Sequence, residues 1–210
     1  GVLAGPGVSV PRALAAALDQ GFLLLDDFGS FTYLQALDEQ TATALYGEAS
    51  AALVRLQLAS RPGVFPEYDR ALLGRELDLY PQWYVERHRG VSLSDDDRNV
   101  MQGAFQTLLD GVLAQTRVYV HRDYHSRNLM VLPGAANPGV LDFQDAVYGP
   151  CTYDLVSLLR DAYIAWPEEV VIDLAIRHWQ QARKAGLPVP DDFGDFYRDF
   201  EWMGLQRHLK

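Results

Sequence analysis

His121-Arg122-Asp123-Tyr124-His125-Ser126-Arg127-Asn128 is followed, fourteen residues after Asn128, by Asp142 at the head of Asp142-Phe143-Gln144-Asp145. The pattern is H-R-D-x-x-x-x-N, a gap the size of a hairpin, then D-F-Q-D. Oxygen-bearing side chains in this order suit a phosphoryl-transfer site. Asp123 is placed to act as the catalytic base that takes the proton of an attacking hydroxyl. Asn128 and Asp142 are placed to hold Mg2+ against the phosphates of a nucleotide. Magnesium prefers hard oxygen ligands and keeps several waters, so two protein ligands plus phosphates suffice.

The flanks supply the context such a motif needs. Val118-Tyr119-Val120 is a β-branched and aromatic run that predicts a strand feeding the loop, and Leu129-Met130-Val131-Leu132 predicts a second. Pro133-Gly134 to Pro138-Gly139 is rich in turn residues, and Val140-Leu141 leads into Asp142. The bland alternative is a polar loop between two strands with an unrelated acid after it.

Composition narrows the partners. The 210 residues carry a net charge of −10, which disfavours nucleic acid and anionic membranes. Nearly half the residues are hydrophobic, enough for a real core. Cys151 is the only cysteine, so no intrachain disulfide forms, as suits a reducing cytoplasm. No apolar run approaches the length of a membrane span, and no secretory signal is visible. His88, His125, His178 and His208 show no metal-ligand spacing.

Periodicity predicts a largely helical chain with a small hairpin at the site. Val8 to Pro11 reads as a short strand, Arg12 to Asp19 as a turn and a strand or a short helix, and Phe22 to Leu25 as a buried strand. Asp26 to Ser30 is a linker, and Tyr33 to Leu37 starts a helix. Leu45, Ala49, Ala52, Leu53 and Leu56 mark a helix from about Asp38 to Ser60. Another helix covers Asp69 to Tyr80, extended through Trp83 and Tyr84. Ser94 and the three aspartates after it begin a helix to about Thr116, with Val100, Ala104, Leu108 and Val112 on its apolar face. Thr152 opens a helix through Ala162. Pro167 opens one carrying Val170, Leu174, His178 and Gln181, and Asp191 begins the last.

These motifs resemble the aminoglycoside phosphotransferase and choline kinase superfamily, which shares its core with protein kinases. Gly21-Phe22-Leu23-Leu24-Leu25-Asp26-Asp27-Phe28-Gly29 looks like that superfamily's strand and linker, and Gly149-Pro150-Cys151-Thr152-Tyr153-Asp154-Leu155 like the segment opening its next helix. A narrower likeness rests on H-R-D-Y…R-N-L-M, G-V-L-D-F-Q-D-A-V-x-G-P and W-M-G-L-Q-R-H-L-K. Those phrases are similar to bacterial kinases that phosphorylate the anomeric hydroxyl of N-acetylmuramate and N-acetylglucosamine in peptidoglycan recycling.

The resemblance implies an α+β, protein-kinase-like fold: residues 1–29 as a remnant of the N-lobe sheet with the hinge, residues 30–210 as the helical C-lobe. It implies an ATP- and Mg2+-dependent enzyme acting on a small-molecule sugar. The linker residues Asp26, Asp27 and Phe28 would bind the cofactor, their backbone reading the adenine edge. Asp154 would tie a helix start to the catalytic loop, and His121 would brace that loop. Arg122 would face substrate or form an ion pair, and Arg127 would steady phosphate charge or join a salt bridge. Gln144 stands where protein kinases carry the glycine of D-F-G, which argues against a flipping switch of that kind. Trp202, Gln206 and Arg207 share a helical face in the region where the superfamily selects its acceptor.

One expected part is missing. The superfamily grips the nucleotide phosphates with a lysine on an early strand. This chain holds only Lys184 and Lys210, both too late. Gly1 to Gly7 lacks G-x-G-x-x-G between two strands and reads as a helix end. The expectation is an internal piece of a longer enzyme, truncated at both ends. The competing readings are an aminoglycoside phosphotransferase, kept open by Asp191, Asp192, Asp195 and Asp199, and a non-catalytic pseudokinase-like fragment.

Overall fold

The computed structural model describes residues 7–210. The architecture is α+β and mostly helical. Its small sheets are antiparallel pairs: β1 (Ala13–Ala17) with β2 (Phe22–Leu25), β3 (Arg117–Val120) with β6 (Val147–Pro150), and β4 (Leu129–Met130) with β5 (Gly139–Val140). The helices are α1 (Tyr33–Ala36), α2 (Ala42–Leu58), α3 (Arg70–Leu77), α4 (Asp95–Leu113), α5 (Tyr153–Leu159), α6 (Glu168–Lys184) and α7 (Phe193–Leu209). A π-helical segment, Tyr80–His88, joins α3 to the loop before α4.

Local chemistry sets several of these boundaries. Ser94 and Asp97 form a reciprocal capping box at the start of α4: the Ser94 hydroxyl accepts from the Asp97 N–H at 3.2 Å, and the Asp97 carboxylate accepts from the Ser94 N–H at 3.1 Å. Asp95, Asp96 and Asp97 also sit at the positive end of that helix dipole. Asp69 accepts from the Leu72 N–H to open α3, and Asp192 from the Asp195 N–H to open α7. Pro167 precedes α6, where its missing N–H costs nothing.

The helices α2, α3, α4, α5, α6 and α7 and the strand β3 enclose one core. Leu53, Leu73, Leu77, Val112, Val156 and Phe200 are fully buried in it. Each such aliphatic or aromatic side chain contributes about 1.5–3 kcal/mol through burial. Buried tyrosines are unusually prominent, and their hydroxyls find partners. Tyr33 meets Asn137, Tyr46 accepts from the Trp166 indole, Tyr124 donates to the Ala49 carbonyl, and Tyr153 meets Lys210.

Four expectations need correction. Phe22–Leu25 is a strand but not a buried one: Phe22 is 67% exposed and Leu24 60%, because β1 and β2 pair only with each other among the described residues. Val8 to Pro11 is not a regular strand. Ser9 makes one parallel bridge to Gly139, while Val8 and Val10 are buried beside it. On α4 the buried residues are Phe105, Leu108, Leu109 and Val112, and Val100 is 75% exposed. The C-terminal half of α4 packs between α3 and α7, and the N-terminal half projects into solvent. Helices α4 and α5 also stop short of the ends expected for them, at Leu113 and Leu159. The reading of Gly1 to Gly7 as a helix end rests on residues that lie outside the described residues, save Gly7.

Candidate active site

The loop His121–Asn128 runs from β3 to β4, and β5 leads back through Leu141 to Asp142. This hairpin places Asn128 and Asp142 side by side. The Leu141 N–H donates to the Asn128 carbonyl at 2.9 Å. The Asn128 side-chain amide donates to the backbone carbonyl of Asp123 at 3.0 Å and lies 3.4 Å from the Asp142 carboxylate. A single amide thus joins the backbone of Asp123 to the carboxylate of Asp142. With its NH2 so engaged, the side-chain oxygen of Asn128 is the atom that could hold a metal.

Backbone strain marks both sides of this cluster. Arg122 has φ +77° and Asp142 φ +65°, the left-handed region that side chains other than glycine seldom adopt. Each costs on the order of 1–3 kcal/mol and persists only where the surroundings over-determine it. At Arg122 the surroundings are visible. Asp154, at the start of α5, is fully buried and accepts from the N–H of His121 at 2.6 Å and of Arg122 at 3.0 Å. Burial pushes the Asp154 pKa up to about 7 against the pull of those two donors. Ser126 is held in the same way, its N–H donating to Asp161 at 2.9 Å.

His121 is buried, and its Nδ1 accepts from the Asp123 N–H at 3.3 Å. Burial drives its pKa down to about 4, although the Asp123 and Asp142 carboxylates pull the other way. The ring is therefore neutral near pH 7 and supports the loop without carrying charge. Gln144 donates to Asp142 at 2.5 Å, which orients the carboxylate from outside. Arg122 Nε, His125 Nδ1 and Ser126 Oγ are buried with no partner among the described residues. Unsatisfied buried polar atoms are uncommon, and here they crowd one loop.

The linker side chains are spoken for locally. Asp26 accepts from the Arg12 guanidinium at 2.7 and 3.2 Å and from its backbone N–H at 3.1 Å. Asp27 accepts from the Gly29 N–H at 2.8 Å. The Phe28 ring packs over Gly139, where a Cβ would come within 2.6 Å of it, so the linker touches the turn end of the β4–β5 hairpin. The backbone N–H and C=O groups of Asp27 and Phe28 form no hydrogen bond among the described residues.

Of the two roles open to Arg122, the ion pair is the one formed, while Arg127, Gln206 and Arg207 find other partners. Arg122 faces inward and pairs with Glu76 at 2.7 Å. The Arg127 guanidinium lies over the Tyr163 ring at 4.8 Å and forms no salt bridge among the described residues. Gln206 is fully buried against Glu76, and Arg207 donates to Ser157 at 2.7 Å. Gln206 does not lie open to a sugar. Trp202 is half-buried against Gly111 and borders a surface depression of 440 Å³ with Arg160, Glu201, Leu205 and His208. Glu76 was not singled out from sequence. It sits in an ordinary acid-and-leucine helix, and nothing in its spacing reports that the chain folds it against Arg122. Among the described residues no three His, Cys, Asp or Glu side chains gather into a metal cage. An Asn–Asp pair completed by phosphate and water is a different kind of site.

The model of the phosphotransferase enzyme family, APH, matches residues 1–193. An N-acetylmuramate/N-acetylglucosamine kinase of Neisseria meningitidis is 56% identical over 207 residues, covering 97% of this chain and 61% of that protein. The protein of the same name from Pseudomonas aeruginosa is 49% identical over 210 residues, covering 100% of this chain and 62% of its own length. The chain thus spans about three-fifths of the length of these curated relatives. In structure it is similar to the aminoglycoside phosphotransferase APH(3'')-Id of Streptomyces rimosus, solved with ADP and streptomycin. The TM-score is 0.58 at 16% identity, over 96% of this chain and 78% of that one. A Plasmodium vivax ethanolamine kinase superposes with a TM-score of 0.65 at 12% identity, over 99% of this chain and 62% of the other. The fold is therefore the protein-kinase-like phosphotransferase fold, and the chain belongs to the APH phosphotransferase enzyme family.

Proposed function

We propose that this chain is the acceptor-side lobe and hinge of an ATP- and Mg2+-dependent kinase that phosphorylates a sugar hydroxyl, the anomeric hydroxyl of N-acetylmuramate or N-acetylglucosamine. The observation that carries the reading is the Asn128 amide, which links the backbone of Asp123 to the carboxylate of Asp142. The names of the relatives at 56% and 49% identity point the same way. Residues 1–29 are read as the hinge and the edge of a second lobe, and residues 30–210 as the helical lobe. A cytoplasmic site of action, where ATP is available, goes with this reading.

The roles follow from chemistry. Asp123 accepts the proton of the acceptor hydroxyl on its carboxylate as that oxygen bonds to the γ-phosphorus and the bond to the departing ADP oxygen breaks. His121 supports the Asp123 N–H, and Asp154 holds the loop that presents the base. The hard oxygens of Asn128 and Asp142 fit Mg2+. When bound, the ion would offset charge on the phosphates. The free backbone edge of Asp27 and Phe28 suits an adenine ring. No lysine here can grip the phosphates: Lys210 is engaged with Glu76, and Lys184 lies at the end of α6. The reading is therefore of a longer protein, in keeping with the length of the relatives.

The test is phosphorylation by the full-length protein with ATP and MgCl2, following sugar phosphate by mass spectrometry. N-acetylmuramate and N-acetylglucosamine should be phosphorylated and kanamycin left untouched. Asp123→Asn should lower kcat by about a thousandfold with nucleotide affinity retained, as loss of a catalytic base predicts. Turnover of kanamycin with both sugars silent would reverse the assignment.

A further inference from the structure

The carboxylate of Glu76, on α3, lies behind the catalytic loop and is 9% exposed. One oxygen accepts from the Arg122 guanidinium at 2.7 Å and from the Lys210 ammonium at 3.1 Å. The other accepts from the Tyr68 hydroxyl at 2.5 Å and from the Gln206 amide at 3.3 Å. Four donors saturate the lone-pair sites of an ionised carboxylate. They come from the segment before α3, the catalytic loop, and the end of α7. The cluster is closed from the far side by Tyr153, whose hydroxyl accepts from Lys210 at 3.1 Å.

Arg122 is consequently held at both ends. Its backbone N–H is fixed on Asp154 at 3.0 Å, and its guanidinium on Glu76. Between these anchors the backbone sits at φ +77°, and the next residue is Asp123. A strained left-handed residue relaxes when one anchor is released. Its side chain is only 21% exposed, so without Glu76 the guanidinium would be left as a charge in a poorly hydrated place and would swing toward water.

We infer that Glu76 is a positioning residue: it holds Arg122 in its left-handed conformation and so aims Asp123, and through Gln206 and Lys210 it makes the docking of α7 a condition for a correctly set catalytic loop. This rests on the proposed role of Asp123 as base. A displacement of the base by about 1 Å costs on the order of a hundredfold in rate. An ordinary structural ion pair would instead lower stability and leave the chemistry of the folded enzyme alone.

The experiment uses the full-length protein and the variants Glu76→Gln, Arg122→Met, the double variant, and Lys210→Met. The first should lower kcat by about tenfold to a hundredfold while the KM for ATP stays within about twofold. The double variant should be no slower than Arg122→Met alone, because both act through one contact. Amide exchange over residues 121–128 should speed up in Glu76→Gln, with exchange in α2 and α6 unchanged. Multiplying effects in the double variant, an unchanged kcat, or unchanged exchange in the loop would each overturn the inference. Should Glu76→Gln fail to fold, Lys210→Met removes a donor from the exposed end of the same cluster, and the same loop-exchange and kcat criteria apply. A wild type inactive on every sugar would refute the functional reading, and loop exchange would still decide whether Glu76 sets the conformation of Arg122.

Discussion

His178 offers a sharp test of the core, remote from the candidate site. It lies on α6, fully buried, with Nδ1 2.8 Å from the Ser50 hydroxyl. That hydroxyl also lies 2.9 Å from the Gln181 side-chain oxygen, which can only accept. The single hydroxyl proton therefore goes to Gln181, and His178 donates from Nδ1. Burial lowers the His178 pKa from 6.5 to about 4. The sign follows from linkage. As pH falls below 6.5 the unfolded chain takes up a proton that the native ring refuses until about pH 4, so stability is lost across that window. The loss attributable to this one ring is about 2 kcal/mol at pH 5 and about 3 kcal/mol at pH 4. The assay is urea unfolding at a series of pH values for wild type and His178→Leu. The variant loses a hydrogen bond, a pH-independent offset of about 1 kcal/mol. Between pH 8 and 5 it should lose about 2 kcal/mol less stability than wild type. His121, lowered in the same direction, is present in both proteins and cancels. Asp154 also cancels; its raised pKa gives the opposite sign, stability lost as pH rises through about 7. Identical pH profiles for the two proteins would refute the claim that the ring is buried and neutral.

Two further substitutions probe the site. Asp154→Asn replaces one acceptor with an NH2 facing a backbone N–H, and should destabilise the fold by about 1–3 kcal/mol in urea titrations while lowering kcat in the full-length protein. Gly139→Ala would bring a methyl group to 2.6 Å from the Phe28 ring and 2.9 Å from Leu132. It should lower stability by about 1–3 kcal/mol and, if the linker reads adenine, weaken nucleotide binding in calorimetry.

Much of the geometry of the candidate site was legible in the linear chain. H-R-D-x-x-x-x-N followed by Asp142 places its groups through short-range geometry, a loop of fixed length and a tight hairpin, and such spacing survives in sequence. The cap of α4 was equally readable, because Ser94 and Asp97 are neighbours along the helix. What escaped was decided at a distance. Phe22–Leu25 looks buried because its residues are apolar, yet burial depends on what packs against a strand. Val100 fits the apolar row of α4, but only the C-terminal half of that helix meets α3 and α7.

The amino-acid sequence by itself determined the order of the helices, the candidate catalytic loop and the pair of metal-ligand candidates, since each depends on residues within a few positions of one another. Tertiary structure alone decided which way Arg122, Gln206 and Arg207 face. Residues 206 and 210, four apart at the end of α7, share a helical face, but residues 76 and 122 have no periodic relation to them or to each other. Their meeting on one carboxylate arises because a buried charge must find donors wherever the packing of α3 and α7 brings them.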